Sequence, residues 1–375
     1  MRLRTILLPI ALALTPYFYF IFKRFLRTLG VRIKRRREKL LLFGVAAVLM
    51  LGGILLSWTS AVFLLHLAAF AGVVQLINFI LKKSARARYA RGFSLWKRLY
   101  GLLAIPLLLS VGMTVYGYVN LHTVRQTAYT VHTSKEIRSA GYRVALIADV
   151  HFGVSLDEQE LLQKCAEISA QSPDLVLLCG DIVDNSTTPE GMRAVFRAFG
   201  GIQSSYGTYY VYGNHDRPHR MMEGMFDTEE LNAAIKGSGI TILQDAHVQI
   251  TDELVLVGRE DRSKDSDEAP RASVSELLAS VDATDFILML DHQPNEYAQN
   301  AAAGTDLLLS GHTHGGQIFP IDVLQELVPF NDAVYGEYAL GEGGTAIVTA
   351  GFGTWEIPVK TAAPAEYVII DILPK

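Results

Sequence analysis

The chain has 375 residues, half of them hydrophobic, with a net charge of −4 and two cysteines. Two cysteines exclude a disulfide framework. The small net charge conceals an asymmetry. Residues 1–140 hold 21 Lys and Arg against two acids, and residues 141–375 hold 13 against 36. An acidic second part repels phosphate backbones, which excludes nucleic acid as a partner.

The excess of apolar residues sits in the first third. Runs at 6–22, 40–58, 61–81 and 99–119 approach or meet the ~20 residues that cross a bilayer core. The first carries Pro9 and Pro16 and is the shortest. It has signal-peptide length, yet no small-residue cleavage site follows, so it reads as a span. Residues 1–120 are therefore expected to form a bundle of about four transmembrane helices. Nine Lys and Arg lie between Lys23 and Lys39, seven between Lys82 and Arg98, and none in the connector at 57–60. Positive loops stay cytoplasmic. Both basic loops are then inside and the fourth span exits, leaving the rest of the chain outside the cytoplasm. Arg2 and Arg4 oppose this orientation, since they put positive charge at an external N-terminus. The bilayer is the first expected partner.

From about residue 125 the pattern changes to short apolar runs separated by turns and helical stretches. YRVALIAD ends at Asp149, DLVLLCGD at Asp181, TYYVYGN at Asn214, DFILMLDH at His292 and TDLLLSGH at His312. Each has strand length and composition. Helices are predicted over 156–169, 189–199 and 228–236. The tail, at 334–338, 345–350 and 366–372, reads as antiparallel strands with Gly-rich turns. Alternating strands and helices predict an α/β fold, either a mixed sheet or a two-sheet sandwich with helices outside. The domain is expected to span 125–375.

In such sheets ligands bind beyond the carboxyl ends of the strands. Here five ends carry Asp, Asp, Asn, His and His. Residues i and i+2 of an extended segment share a side, so Asp149 with His151, and His312 with His314, each read as a pair of donors. Gly180, Gly213 and Gly311 precede proposed ligands and permit close backbone approach. The donors are carboxylate, imidazole and amide oxygen without thiolate, which selects manganese, iron or zinc. They are too many for one tetrahedral ion. Two divalent ions sharing Asp181, with manganese favoured, is the economical arrangement, and hydroxide held between them is the natural nucleophile.

D-x-H (Asp149, His151), G-D-x-x-D (Gly180–Asp184), G-N-H-D (Gly213–Asp216), the lone His292 and G-H-T-H (Gly311–His314) together resemble the calcineurin-like metallophosphoesterases. The resemblance covers about residues 125–375, with the five pieces in order. It implies a four-layer α/β/β/α metallophosphoesterase sandwich with a dinuclear site. It assigns Asp149, His151, Asp181 and His314 to one metal, and Asp181, Asn214, His292 and His312 to the other. H-T-H-G-G-Q and the later Gly351, Gly353, Thr354 and Pro358 are most similar to a membrane-associated bacterial branch. That branch includes UDP-2,3-diacylglucosamine pyrophosphatases and related phosphodiesterases. Two departures stand out. Lys360 replaces the usual Arg and is a weaker candidate for phosphate binding, because Lys cannot grip bidentately. Asp291 stands where Ser is common and reads as a supporting residue or a solvated one.

His215 follows Asn214 and is not needed as a ligand. It is placed to contact a phosphoryl oxygen or protonate the leaving oxygen. Asp184 is expected to orient it, and the resemblance implies the same pairing. Asp216 is equally readable as a supporting residue or a helix cap. Met221, Met222, Met225 and Phe226 read as a helix packed on the core more readily than as a rim for an acyl chain. The expected function is a membrane-anchored phosphodiesterase or pyrophosphatase. Its substrate would be a phosphorylated lipid or cell-envelope compound. The alternative is a non-catalytic membrane sensor that binds a phosphorylated ligand on the same fold.

Overall fold

A computed structural model of the chain describes residues 3–83, 92–217, 226–266, 270–328, 330–341 and 343–375. Met221, Met222 and Met225 lie outside the described residues. The chain divides into two compact units, Met1–Tyr118 and Val119–Lys375.

The first unit is helical: α1 (Leu3–Thr28), α2 (Arg36–Leu56), α3 (Trp58–Lys83), α4 (Phe93–Gly101) and α5 (Ala104–Leu121), whose last turn enters the second unit. Three described helices are long and apolar enough to cross a membrane: Arg36–Leu55, Trp58–Lys83 and Ala104–Leu121. The first expected span falls within α1, a 26-residue helix that contains Pro9 and Pro16. Phe20, Leu41, Val48 and Leu108 face outward, while Ala11, Phe18, Ala46, Met50 and Ile54 are buried. Apolar residues all round a helix suit lipid rather than water. The break between α2 and α3 is Ser57, which is extended at φ −153°, ψ 131°. The expected span at 99–119 is shorter than the apolar run. Leu103 takes φ 58° and ends α4, so the spanning helix starts at Ala104. Pro106 lies in its first turn, where a missing N–H costs no intrahelical bond.

The second unit holds two six-stranded sheets. One has the order β1 (Arg125–Thr133), β12 (Glu366–Pro374), β2 (Tyr142–Ile147), β3 (Leu175–Cys179), β4 (Thr208–Val211), β5 (Ile240–Ile242). The other has the order β10 (Gly336–Leu340), β11 (Gly344–Val348), β9 (Leu307–Ser310), β8 (Phe286–Leu290), β7 (Leu254–Gly258), β6 (Ala246–Thr251). In the first, β2 to β5 run parallel; in the second, β7, β8, β9 and β11 do. The facing sides share one apolar layer, including Leu146, Leu177, Leu256, Leu288 and Leu309. The outer side of the first sheet packs α6 (Glu158–Ala170), α7 (Pro189–Gly200) and α8 (Thr228–Gly237). The outer side of the second packs α9 (Val274–Leu278) and α10 (Tyr297–Ala303). This is a four-layer α/β/β/α sandwich. Phe226 packs against the first helical layer.

The helix starts follow from local chemistry. Asp157 and Asp227 each accept from the N–H three residues on, Glu160 and Glu230, whose side chains reach back. These are capping boxes. Thr188 caps α7 ahead of Pro189 at its first position. The tail departs from expectation. β10 and β11 are antiparallel, but β12 leaves them for the other sheet, parallel to β1 and antiparallel to β2. Val368, Ile370 and Ile372 alternate into the shared apolar layer there.

Lys360 does not reach a ligand. It is fully buried, and its Nζ donates to the carbonyls of Ala350, Gly351 and Gly353. Its own carbonyl and that of Ala363 accept from Asn120 Nδ2 at 2.9 Å each. The expected phosphate contact is corrected on this ground: the ammonium is spent holding the loop after β11. Burial pushes its pKa down to about 8, against the pull of Asp149 and Glu366.

Two outcomes are expected for Lys360→Met in denaturant unfolding. Three carbonyls lose a buried donor, so the variant loses roughly 2–4 kcal/mol. Between pH 8 and 10 the unfolded native chain keeps a proton on Lys360 that the folded chain has released. The native protein therefore gains stability over the variant as pH rises, by roughly 2–3 kcal/mol.

Candidate metal centre

The strand ends do not deliver their side chains by pleat alternation. β2 stops at Ile147, and both Asp149 and His151 take left-handed backbone, at φ 53° and 44°. Asp181 (φ 53°), His312 (φ 72°) and His314 (φ 51°) do the same. Five of the seven proposed ligands thus sit in a region that ordinary residues avoid, at a cost of ~1–3 kcal/mol each. Sharp turns, not an extended i, i+2 pattern, bring each pair together. The preceding glycines make room for the carboxylates. A Cβ at Gly213 would lie 2.2 Å from Asp181 Oδ1, and one at Gly311 would lie 2.4 Å from Asp149 Oδ2.

One carboxylate organises the ends of β3 and β4. Asp216 Oδ2 accepts from the N–H groups of Asp181 and Gly213, both at 2.7 Å. Its Oδ1 accepts from Ile182 at 2.8 Å and Val183 at 3.1 Å. Asp216 is thus a supporting residue that ties two loops together. Asp149 plays a related part, accepting the His312 N–H with both oxygens, at 3.0 and 2.9 Å.

The donors converge in two groups: Asp149, His151 and His314, and Asp181, His292 and His312. Within each, one ligand atom per residue lies within 4.8 Å of the others. His151 Nε2 and His314 Nε2 face each other at 3.2 Å, and Asp149 Oδ1 is 3.6 Å from the latter. Asp181 Oδ2 lies between the groups, 3.2 Å from His292 Nε2 and 3.7 Å from His151 Nε2. Asn214 Oδ1 lies 2.8 Å from His312 Nδ1.

Residues of this kind fit a pair of cations. Asp184 Oδ2 lies 3.0 Å from His151 Nδ1, and the Cys179 carbonyl lies 2.8 Å from His292 Nδ1. Each outer nitrogen therefore carries the proton, and each Nε2 turns a lone pair inward. His292 Nε2 is buried and hydrogen-bonds to nothing among the described residues, although Asp181 is close. Burial opposes charge on Asp181, but His292, His215 and His151 outweigh it and hold the carboxyl well below its usual range. Burial and nearby His292 push His312 down to about 4. A buried carboxylate ringed by imidazoles is the donor set of a hard-to-borderline cation. Cys165 and Cys179 are buried unpaired thiols and stand apart from this set.

The expected pairing of Asp184 with His215 is not made. Asp184 Oδ2 goes to His151, and Oδ1 accepts from the Ser186 N–H at 2.7 Å and its hydroxyl at 2.6 Å. Its carboxylate is exhausted, so it orients a proposed ligand instead of the proposed acid. The His215 ring lies against Trp355 at 4.7 Å and edge-on to His151 at 5.4 Å. Burial holds it below its ordinary pKa, against the pull of Asp181. The backbone N–H of His215 donates to Asp181 Oδ1 at 2.7 Å. The sequence did not single out Trp355; only its place after Gly353 and Thr354 marks it. Asp291 is fully buried and paired with Arg259 (3.1 Å) and Arg271 (3.0 Å).

Residues 142–316 match the family described as calcineurin-like phosphoesterase. The chain is 29% identical over 230 residues to an uncharacterised metallophosphoesterase of Campylobacter jejuni, covering 61% of this chain and 59% of that one. It is 27% identical over 274 residues to a transmembrane protein with metallophosphoesterase domain of Danio rerio, covering 70% and 60%. An uncharacterised metallophosphoesterase of Bacillus subtilis is 25% identical over 307 residues, covering 78% and 99%. The chain thus spans about 60% of the length of the first two relatives. The matched residues include every strand end from Asp149 to His314, so the part of this chain that carries the donors is similar to a calcineurin-like phosphoesterase domain.

Proposed function

We propose that the chain is a membrane-anchored, metal-dependent phosphoesterase that cleaves a phosphodiester or pyrophosphate bond. The observation that carries this is the position of Asp181, whose Oδ2 faces imidazole nitrogens of both donor groups. Asp149, His151, Asp181 and His314 would hold one divalent ion, and Asp181, Asn214, His292 and His312 the other. Manganese is favoured, with iron or zinc as alternatives. Bound there, the ions supply Lewis-acid activation of water and neutralise charge on phosphoryl oxygens.

The chain's own residues do the rest. Asp184 and the Cys179 carbonyl fix the rings of His151 and His292. Asp216 holds the two loops that present Asp181 and Asn214. His215, whose pKa burial lowers, would contact a phosphoryl oxygen or the leaving oxygen through its ring. Trp355 limits the tilt of that ring.

The substrate class rests on the tether. Three residues separate the end of α5 at Leu121 from β1 at Arg125. At ~3.5 Å per extended residue their reach is short, and confinement raises the effective concentration of membrane-borne substrates. A phosphorylated lipid or envelope compound is the substrate we infer. The basic clusters at Lys23–Lys39 and Lys82–Arg98 support an orientation with those segments in the cytoplasm and the phosphoesterase domain on the extracytoplasmic side.

Three measurements test this reading on the full chain in detergent. Purified protein loaded with manganese should hydrolyse bis(p-nitrophenyl) phosphate, and Asp181→Ala should abolish turnover and lower metal content. No turnover with manganese, iron, zinc, nickel or cobalt would reject the catalytic assignment. His215→Gln should lower kcat by ~10²–10⁴ while leaving metal content unchanged; equal loss of both would make His215 a ligand. Asp184→Asn should weaken metal retention by ~10–100-fold, because its partner is His151. Unchanged retention with lowered kcat would instead return it to His215.

A further inference from the structure

The helical unit carries a groove in which polar side chains stand among the apolar Leu76 and Phe79. It has a volume of about 540 Å³, and Tyr17, Gly72, Gln75, Asn78, Lys82 and Tyr100 line it. At Gly72 the space is open, since a Cβ there would meet only the Tyr17 hydroxyl, at 3.7 Å. Tyr17 belongs to α1, the residues from Gly72 to Lys82 to α3, and Tyr100 to α4.

Its height within the bundle is marked twice. α1 and α3 both end in basic residues, Lys23, Arg24 and Arg27 on one and Lys82 and Lys83 on the other. Aromatic side chains gather at the same level. Trp96 Nε1 donates to Asn78 Oδ1 at 3.2 Å, and the Arg24 guanidinium lies 3.9 Å from the Tyr100 ring centroid. Trp and Tyr above a hydrophobic span, with Lys and Arg beside them, mark the headgroup level of a bilayer.

The groove also lacks an anion. Tyr17 Oη and Arg24 Nε are buried and hydrogen-bond to nothing among the described residues. Residues 1–118 contain one acid, Glu38. Its Oε2 is committed to the N–H groups of Lys34 and Arg35, at 2.8 and 2.9 Å. A phenol and an ammonium thus line the groove, a guanidinium lies over the Tyr100 ring at its wall, and this part of the chain supplies no carboxylate for them. The counter-charge must come from outside. At headgroup height it is a phosphate, whose several oxygens accept from all three donors.

We propose that this groove binds the headgroup of an anionic phospholipid in the leaflet at the basic end of the bundle. Arg24, Lys82 and the Tyr17 hydroxyl receive the phosphate, and Gln75 meets the headgroup hydroxyls. Zwitterionic lipids carry the same phosphate with a compensating cation, which Arg24 and Lys82 repel.

Native mass spectrometry of the full chain in detergent, titrated with phosphatidylglycerol, phosphatidylcholine or soluble glycerol 3-phosphate, tests this. One phosphatidylglycerol per chain should be retained at a concentration at least fivefold below that needed for phosphatidylcholine. Each cation near the surface contributes ~1 kcal/mol, about fivefold, so Arg24→Gln with Lys82→Gln should weaken retention by ~25-fold. Tyr17→Phe removes one oxygen, keeps the ring, and should weaken it severalfold. Arg36→Gln with Arg37→Gln, which removes equal charge outside the groove, should leave it unchanged. Equal loss in that control pair would show a diffuse basic surface and overturn the proposal. So would equal retention of phosphatidylcholine, or glycerol 3-phosphate binding as tightly as the lipid, which would make this a site for soluble phosphate.

Discussion

Four backbone N–H groups from two adjacent strand ends point at one carboxylate, that of Asp216. The rest of the site depends on this contact. β3 and β4 run parallel, so nothing in their ladder fixes how the loops beyond them lie relative to each other. Asp216 supplies that fix. It pins the N–H of Asp181 and that of Gly213, the residue before Asn214. Bonds to a charged acceptor contribute ~1.5–3 kcal/mol each. Four of them offset the unfavourable φ of Asp181, while burial and the nearby Asp181 still push the Asp216 carboxyl up to about 6. The same logic recurs at Asp149, which turns back on the His312 N–H. Each carboxylate that binds a loop leaves a neighbouring side chain free to face inward.

Left-handed backbone at five proposed ligands is a consequence of crowding. Seven polar side chains must enter a space bounded by the ends of parallel strands from two sheets. An extended exit would carry successive side chains to opposite faces and separate His151 from His314. A turn at each end keeps the ligand near the strand axis, where the opposite sheet is within reach. The glycines are the counterpart of this: Gly213 and Gly311 give up a Cβ where a carboxylate oxygen passes. Strain of this kind persists only where surrounding bonds over-determine it, and here they do.

The sequence was most legible where composition and position act together. A short apolar run that stops at Asp or His states both the strand and the direction of its end. Five such runs in order marked β2, β3 and β4 of one sheet, β8 and β9 of the other, and the ends that carry the donors. What escaped reading depends on direction in space. Asp184 is two residues from Ile182 and a turn away from Asp181; only the fold decides whether its carboxylate meets His151 or His215. Lys360 has a charged end that reads as a phosphate contact, but its stem enters the core and three carbonyls take the ammonium. The tail strand at 366–374 has the same alternation as its predecessors, and alternation does not say which sheet it joins. The helical unit was legible in extent and less so at its joints, because Leu103 breaks an apolar run without any Gly or Pro at that position.

Asp291 shows how the site keeps its donor count. It directly precedes His292 at the end of β8, and an ionised carboxylate there would be a competing hard donor. The chain surrounds it with Arg259 and Arg271, which take both its oxygens, and Arg259 also contacts Glu296 at 2.5 Å. Burying such a network costs several kcal/mol per ion in desolvation, so apolar residues of the same volume would serve stability as well. Its retention beside His292 is therefore better explained by chemistry than by stability. Held by two guanidinium groups, Asp291 is turned to the arginines, and among the described residues the carboxylate facing both donor groups is Asp181. Asp149 and Asp181 are thus the carboxylates of the two donor groups, while Asp216 is bound to backbone and Asp291 to arginine.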